Sequence, residues 1–258
     1  MNKVSIIIPA HNEEKRIFET LKSYISYFEN LKKNKILNYE ILVVINASGD
    51  KTLEIVKSIK KEGGNLFYLN LKKGGKGYAI IEGFKESLKK KNNFIGFVDA
   101  DMATSPKSFY DLIINIGGYD GIIASRYLKG SMVDPKQSFQ RILVSRIFNF
   151  FIRSILFLPY RDTQCGAKIF TRKSISKILP TLSLSKWAFD VDLVYQLKKN
   201  GFSIKEIPTR WSDKEYSKVN FIKVGPMMAL GVIRLRILNS PLKNFIKIYD
   251  KLAGRRNM

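Results

Sequence analysis

The chain has 258 residues, 45 Lys plus Arg against 22 Asp plus Glu, and a net charge of +23. That length fits one α/β domain with an added tail, and 45% hydrophobic residues without a low-complexity tract exclude a disordered chain. A single cysteine, Cys165, excludes an internal disulfide, and the longest uncharged run, Val224 to Ile233, falls well short of the roughly 18 apolar residues of a spanning helix.

Val4 to Pro9 is a β-branched run stopped by proline and predicts a strand; Asn12 to about Leu31 follows with helical spacing. Ile41 to Ile45 predicts a second buried strand, Lys51 to Lys61 a helix, and Leu66 to Leu69 a third strand. After the turn Gly74 to Gly77, Tyr78 to Lys90 is helical, and Phe94 to Val98 is a strand ending in Asp99-Ala100-Asp101. A helix from Lys107 to about Ile116 and a strand from Gly121 to Ser125 complete this half. Strands alternating with helices predict an α/β fold with a doubly wound, mostly parallel sheet, whose ligands bind beyond the carboxyl ends of the strands. Pro9 to Glu13, Asn46 to Asp50 and Asp99 to Asp101 all lie at such ends.

The second half differs in character. Gln140 to Leu158 carries Arg141, Ser145, Asn149 and Arg153 as one polar stripe on an otherwise apolar helix, and Val224 to Leu238 is apolar beside Lys223, Arg234 and Arg236. Residues 121–189 hold 12 basic and 2 acidic groups and residues 214–258 hold 10 and 2, so most of the excess charge flanks these helices. Apolar helices bordered by cations suit a membrane interface. They equally suit core helices whose arginines reach out to solvent.

Asp99 and Asp101 emerge together from a buried strand, and paired hard carboxylates suit Mg2+ or Mn2+ bridged to a diphosphate. An aspartate could instead cap the next helix, but Ser105-Pro106 offers that cap. Gly74-Gly75-Lys76-Gly77 lacks the phosphate-loop spacing, since Gly77 stands where Ser or Thr is required; Lys76 is read as reaching the crevice from a turn. His11 has no second histidine to form a metal site, and Asn46-Ala47-Ser48 is discounted as a glycosylation signal. Asp190 and Asp192 stand among apolar residues, which predicts a specific partner, an arginine or a substrate hydroxyl.

Val4–Glu14 (VSIIIPAHNEE), Gly75–Gly83 (GKGYAIIEG), Asp99–Thr104 (DADMAT), Ser125-Arg126-Tyr127, Asp162–Lys168 (DTQCGAK) and Trp187–Leu193 (WAFDVDL) occur in this order. Together they resemble family 2 glycosyltransferases of the GT-A fold that act on polyprenyl or dolichyl phosphate, and look more like dolichyl-phosphate β-glucosyltransferase than dolichol-phosphate mannose synthase. Mannose synthases tend to carry a Gln where Ala103 stands. The resemblance implies inverting transfer of glucose from a nucleotide sugar, UDP-glucose, to a lipid phosphate, with Mg2+ or Mn2+. It places Pro9, Ala10, Asn12 and Glu13 at the nucleotide, where Asn46 and Lys76 also stand, Asp99 and Asp101 at the metal, and Arg126 and Arg141 at the lipid phosphate, with Lys218 and Arg146 as further candidates there and Asp190 orienting the donor sugar or an arginine. Asn46 stands where many relatives have Asp.

The expected organisation is a GT-A domain over residues 1–220, with a membrane-facing helix near 140–158, and a basic apolar helical segment over 221–258. The C-terminal amphipathic helices would hold the protein peripherally against an anionic membrane surface. No secretory leader is read, so the cytoplasmic face is expected. Nucleic acid is not expected as a partner, because the basic segments interleave with aliphatic residues rather than a stacking platform.

Overall fold

The computed structural model describes residues 1–135, 139–182, 188–212, 221–242 and 244, without the side chains of Phe139, Arg141 and residues 221–224. The first half runs β1 (Lys3–Ala10), α1 (Ile17–Lys33), β2 (Asn38–Asn46), α2 (Thr52–Lys61), β3 (Leu66–Leu71), α3 (Lys76–Lys89), β4 (Phe94–Val98), α4 (Pro106–Ile114) and β5 (Gly121–Ser125). The second runs β6 (Met132–Asp134), α5 (Phe139–Leu156), β7 (Ala167–Thr171), α6 (Arg172–Ile178), α7 (Phe189–Lys199), β8 (Ile204–Pro208), β9 (Arg210–Ser212) and α8 (Phe221–Leu238).

Seven strands form one sheet in the order β3-β2-β1-β4-β7-β5-β8, and β6 pairs with β9 in a small second sheet. The pairs from β3 to β4 are parallel, as is β5 with β8, whereas β7 runs antiparallel between β4 and β5. Side chains alternate across the sheet: Val4, Ile6, Ile8 and Ala10 of β1 enter one core and Ile7 the other. Helices α1, α2 and α4 cover the first face, and α3, α6 and α7 the second. With both faces covered, Ile6 to Ala10 of β1 and Ile41 to Ile45 of β2 are continuous apolar runs rather than alternating with polar residues. Ile6, Ile7 and Ile8 are wholly buried, and each such side chain contributes about 1.5–3 kcal/mol.

Helix α1 buries Ile17, Leu21, Tyr24, Phe28 and Leu31, one stripe at helical spacing. It starts at Ile17 rather than Asn12, because Asn12 takes φ +54° and the chain turns, with the N–H groups of Arg16 and Ile17 donating to the Glu13 carbonyl. Helix α4 has the expected cap: Ser105 accepts from the Ser108 N–H and Pro106 opens the first turn.

Beyond residue 125 the alternating pattern did not disclose β7 and β8, which are five residues each and carry charge, Lys168 in one and Lys205 and Glu206 in the other. The sheet is therefore mixed, with β7 as its reversed strand. Helix α5 buries Ile152 and Leu156 in the second core but exposes Leu143, Val144, Ile147 and Phe150. Helix α8 packs on α5 and α7, burying Val232 and Leu235 and exposing Met227, Leu230 and Ile233. Among the described residues, no helix is long and apolar enough to cross a membrane. Of the predicted segment 221–258, residues 243 and 245–258 lie outside the described residues.

Candidate active site

β4 ends at Val98, so Asp99, Ala100 and Asp101 leave the sheet where its parallel neighbour β1 also ends. Hydrogen bonds hold this loop. Thr20 Oγ1 donates to the Ala100 carbonyl (2.8 Å), Tyr24 OH to the Thr104 carbonyl (2.9 Å), and the Ala103 N–H to Asp101 Oδ1 (3.0 Å). Met102 takes φ +59°, a left-handed conformation uncommon for a residue with a side chain. The carboxylates are thus set by packing of α1 beneath them as well as by the strand.

The reversed strand completes the position of Asp99. Phe97 pairs with Lys168 and Val98 with Ala167, and continuing that register brings Gly166 beside Asp99. A Cβ at Gly166 would lie 1.9 Å from Asp99 Oδ2. Glycine is required here by close approach, since any side chain would displace the carboxylate.

Charges of alternating sign run away from this point. Lys76, the first residue of α3, places Nζ 2.6 Å from Asp99 and 3.7 Å from Asp190. Lys168, wholly buried, donates to Asp190 Oδ1 and, at 2.7 Å, to the Cys165 carbonyl. Burial pushes the Asp99 carboxyl above its ordinary value, with Lys76 opposing and Asp101 adding to the rise. For Asp190 burial works in the same direction, but Lys168 and Lys76 outweigh it and hold the carboxyl below its ordinary value. Burial disfavours the Lys76 ammonium, yet Asp190 and Asp99 hold its pKa above the ordinary lysine value. The expected partner of Asp190 was an arginine or a substrate hydroxyl; the structure supplies two lysines. Asp192, wholly buried, accepts from Gln196 Nε2 at 3.1 Å.

A cavity of about 230 Å³ opens over these groups, lined by Pro9, His11, Glu13, Asn46, Lys76, Asp99, Ala100 and Asp101. Six of the residues singled out in sequence therefore share one crevice. Ala10 and Asn12 do not line it: Ala10 is buried and its carbonyl accepts from Asn46 Nδ2 (3.0 Å), and Asn12 is exposed, its Oδ1 accepting from the Gly49 N–H (2.9 Å). Asn46 also accepts from the Gly75 N–H (3.0 Å), so its amide ties β1 to the glycine turn. Glu13 is chelated by Arg16 through Nε and Nη2, and burial pushes its carboxyl up against that cation. His11, which sequence reasoning set aside, lines the cavity with Nδ1 2.7 Å from the Asn46 carbonyl.

Arg126 lies elsewhere. Its Nε and Nη2 donate to Asp162 at 2.7 and 2.9 Å, and its backbone N–H donates to the same carboxylate, which is wholly buried. Arg141 is placed only by its position on α5, and Lys218 and Trp187 lie outside the described residues. Cys165 is buried and its thiol is pushed up to about 12 by burial and Asp162, which makes it unreactive. Gly166 and Lys168 have no role that the sequence alone assigns. The signal for Lys168 was a lysine inside an apolar strand, which demands a carboxylate partner once the strand is known.

Among the described residues no three His, Cys, Asp or Glu side chains gather into a metal cage. Asp101 faces the cavity with no cationic partner among those residues, and Asp99 has Lys76 alone as its ion-pair partner. Two hard carboxylates, one unpaired, fit a Mg2+ or Mn2+ ion that takes its other ligands from water and a diphosphate.

Residues 5–179 match the family described as Glycosyl transferase family 2. The dolichyl-phosphate β-glucosyltransferase of Dictyostelium discoideum is 33% identical over 243 residues, covering 90% of this chain and 73% of that protein. The human dolichyl-phosphate β-glucosyltransferase is 31% identical over 251 residues, covering 92% and 76%. Among solved structures, glucosyl-3-phosphoglycerate synthase from Mycobacterium tuberculosis, in complex with Mn2+, uridine diphosphate and phosphoglyceric acid, superposes with a TM-score of 0.62 at 16% identity, covering 92% of this chain and 78% of that one. That likeness is one of fold, the GT-A glycosyltransferase fold.

Proposed function

The chain belongs to glycosyl transferase family 2, and on that premise we propose that it is an inverting transferase moving glucose from UDP-glucose onto dolichyl or another polyprenyl phosphate. The observation that carries this reading is the crevice in which Asp99, Asp101 and Lys76 meet beside an Asp190 held ionised. The named activity of the relatives supplies the substrate classes.

Pro9, Ala10, Asn12, Glu13 and Asn46 build the wall on which the nucleotide lies. Asp99 and Asp101 hold the divalent cation, Mg2+ or Mn2+, which when bound supplies positive charge against the departing diphosphate. Lys76 adds a fixed cation at the same point. The acceptor is a phosphate ester already ionised at neutral pH. Its oxygen attacks the anomeric carbon as the bond to the diphosphate breaks on the opposite face, and no strong general base is needed. Asp190 suits that chemistry, because a carboxylate held below its ordinary pKa is a poor base and a good acceptor for a sugar hydroxyl. Arg141, Lys218 and the Nη1 edge of Arg126 grip the acceptor phosphate, while Asp162 fixes the rest of the Arg126 fork.

In this reading residues 1–220 are the catalytic domain, and the helix near 140–158 and the segment 221–258 rest on the cytoplasmic face of a membrane. The support is the row of exposed apolar side chains on α5 and α8, two helices with no acidic residue. A panel of nucleotide sugars assayed with dolichyl phosphate tests the function. UDP-glucose is expected to exceed GDP-mannose and UDP-N-acetylglucosamine by about tenfold or more in kcat/KM. A preference for GDP-mannose would overturn the glucose assignment, and no transfer from any donor would overturn the acceptor.

A further inference from the structure

A second cavity, of about 260 Å³, opens beside α5 and is lined by Tyr127, Arg146, Asn149, Phe150, Arg153 and Arg161. Three guanidinium groups share it and no carboxylate does. Among the described residues none of the three is ion-paired, and the Arg146 guanidinium stands over the Tyr127 ring, 5.9 Å from its centroid. The neighbouring carboxylates are committed elsewhere. Asp162 is held by Arg126, and Glu206 accepts from the backbone N–H groups of Arg161 and Asp162. Three unneutralised cations in one concave site call for an anion with several oxygens, and guanidinium forks match a phosphate.

The rim says what the phosphate is attached to. Phe150, which lines the cavity, is 69% exposed, and Leu143, Val144 and Ile147 of the same helix are exposed with it. Helix α8, which packs on α5, exposes Met227, Leu230 and Ile233. A free phosphate has no use for such a border, whereas a phosphate bearing acyl chains would bury it. The middle of the polar stripe of α5 turns inward, with Asn149 buried and Ser145 meeting Tyr127 OH at 2.6 Å, while Arg153 is exposed and lines the cavity.

We propose that this cavity binds the phosphate headgroup of an anionic membrane phospholipid, separately from the crevice where sugar is transferred, with the acyl chains lying on the exposed apolar residues of α5 and α8. The proposal rests on the reading that the protein works at a membrane, and it makes that attachment a discrete site rather than a diffuse attraction of positive charge.

The test compares two variants of the full chain that each remove two exposed cations, Arg153→Gln with Arg161→Gln, and Lys60→Gln with Lys61→Gln on the far helix α2. Binding is measured to vesicles of phosphatidylglycerol and phosphatidylcholine, and KM for dolichyl phosphate is measured in neutral detergent micelles. The arginine pair is expected to weaken vesicle binding by about 30-fold and the lysine pair by less than about twofold. Melting temperature and micellar KM are expected to stay unchanged in both. Equal weakening by both pairs would mean diffuse attraction and overturn the site. Unchanged vesicle binding with a raised micellar KM would assign the cavity to the acceptor's own phosphate and overturn the phospholipid. Should transfer to dolichyl phosphate be absent while the arginine pair still lowers vesicle binding, the site stands and the acceptor assignment falls.

Discussion

At the carboxyl ends of β1, β2 and β4 the charged groups face a cavity and the apolar side chains pack away beneath them. Along the outer turns of α5 the order is reversed, with Asn149 buried while Ile147 and Phe150 stand exposed. Both regions are rich in Lys and Arg, but the crevice neutralises its cations against Asp99 and Asp190, whereas Arg146, Arg153 and Arg161 have no carboxylate among the described residues. A cation matched inside the protein organises a site. One left unmatched at the surface, beside apolar side chains, awaits an anionic partner.

That contrast can be broken most severely in the crevice. Asp101→Ala is expected to lower transfer by about 10²–10³-fold and to abolish Mn2+ binding followed by electron paramagnetic resonance, with the melting temperature unchanged. Normal Mn2+ binding in this variant would remove Asp101 from the metal. Gly166→Ala should follow closely, since a displacement of Asp99 of about 1 Å costs about 100-fold in rate, and a crystal structure of the variant should show the carboxylate moved.

Between the two regions lies the Arg126–Asp162 pair. Asp162→Ala leaves a mostly buried guanidinium unpaired, and chemical denaturation should report a loss of about 3–5 kcal/mol. A change below about 0.5 kcal/mol would mean that solvent replaces the carboxylate without cost.

Asp190 gives the smaller, pH-dependent effect. Its carboxyl is held below 3.8 in the folded chain, so its stabilising contribution is fully present above that value and is lost as the pH falls through the folded one. Asp190→Asn should therefore flatten the acid side of the stability profile below about pH 4 as well as lower stability at neutral pH. An acid limb parallel to that of the unsubstituted protein would show that Lys168 and Lys76 do not act through Asp190.

The sequence by itself determined the first five strands, the helices between them, the Ser105 cap and the meeting of strand ends that carry Pro9, Asn46 and Asp99. Each of these follows from a local signal, hydrophobic period or turn chemistry, read within a dozen residues. The tertiary structure alone decided that β7 runs backwards between β4 and β5, and with that the place of Gly166 against Asp99 and of Lys168 beneath Asp190. Strand direction and register are set by pairing between segments far apart in the chain, which no local period encodes. The same limit applied to α5. Its polar stripe was legible, but which of its members met solvent depended on the loops bearing Tyr127 and Thr163, which cover Ser145 and Asn149 and leave Arg153 exposed.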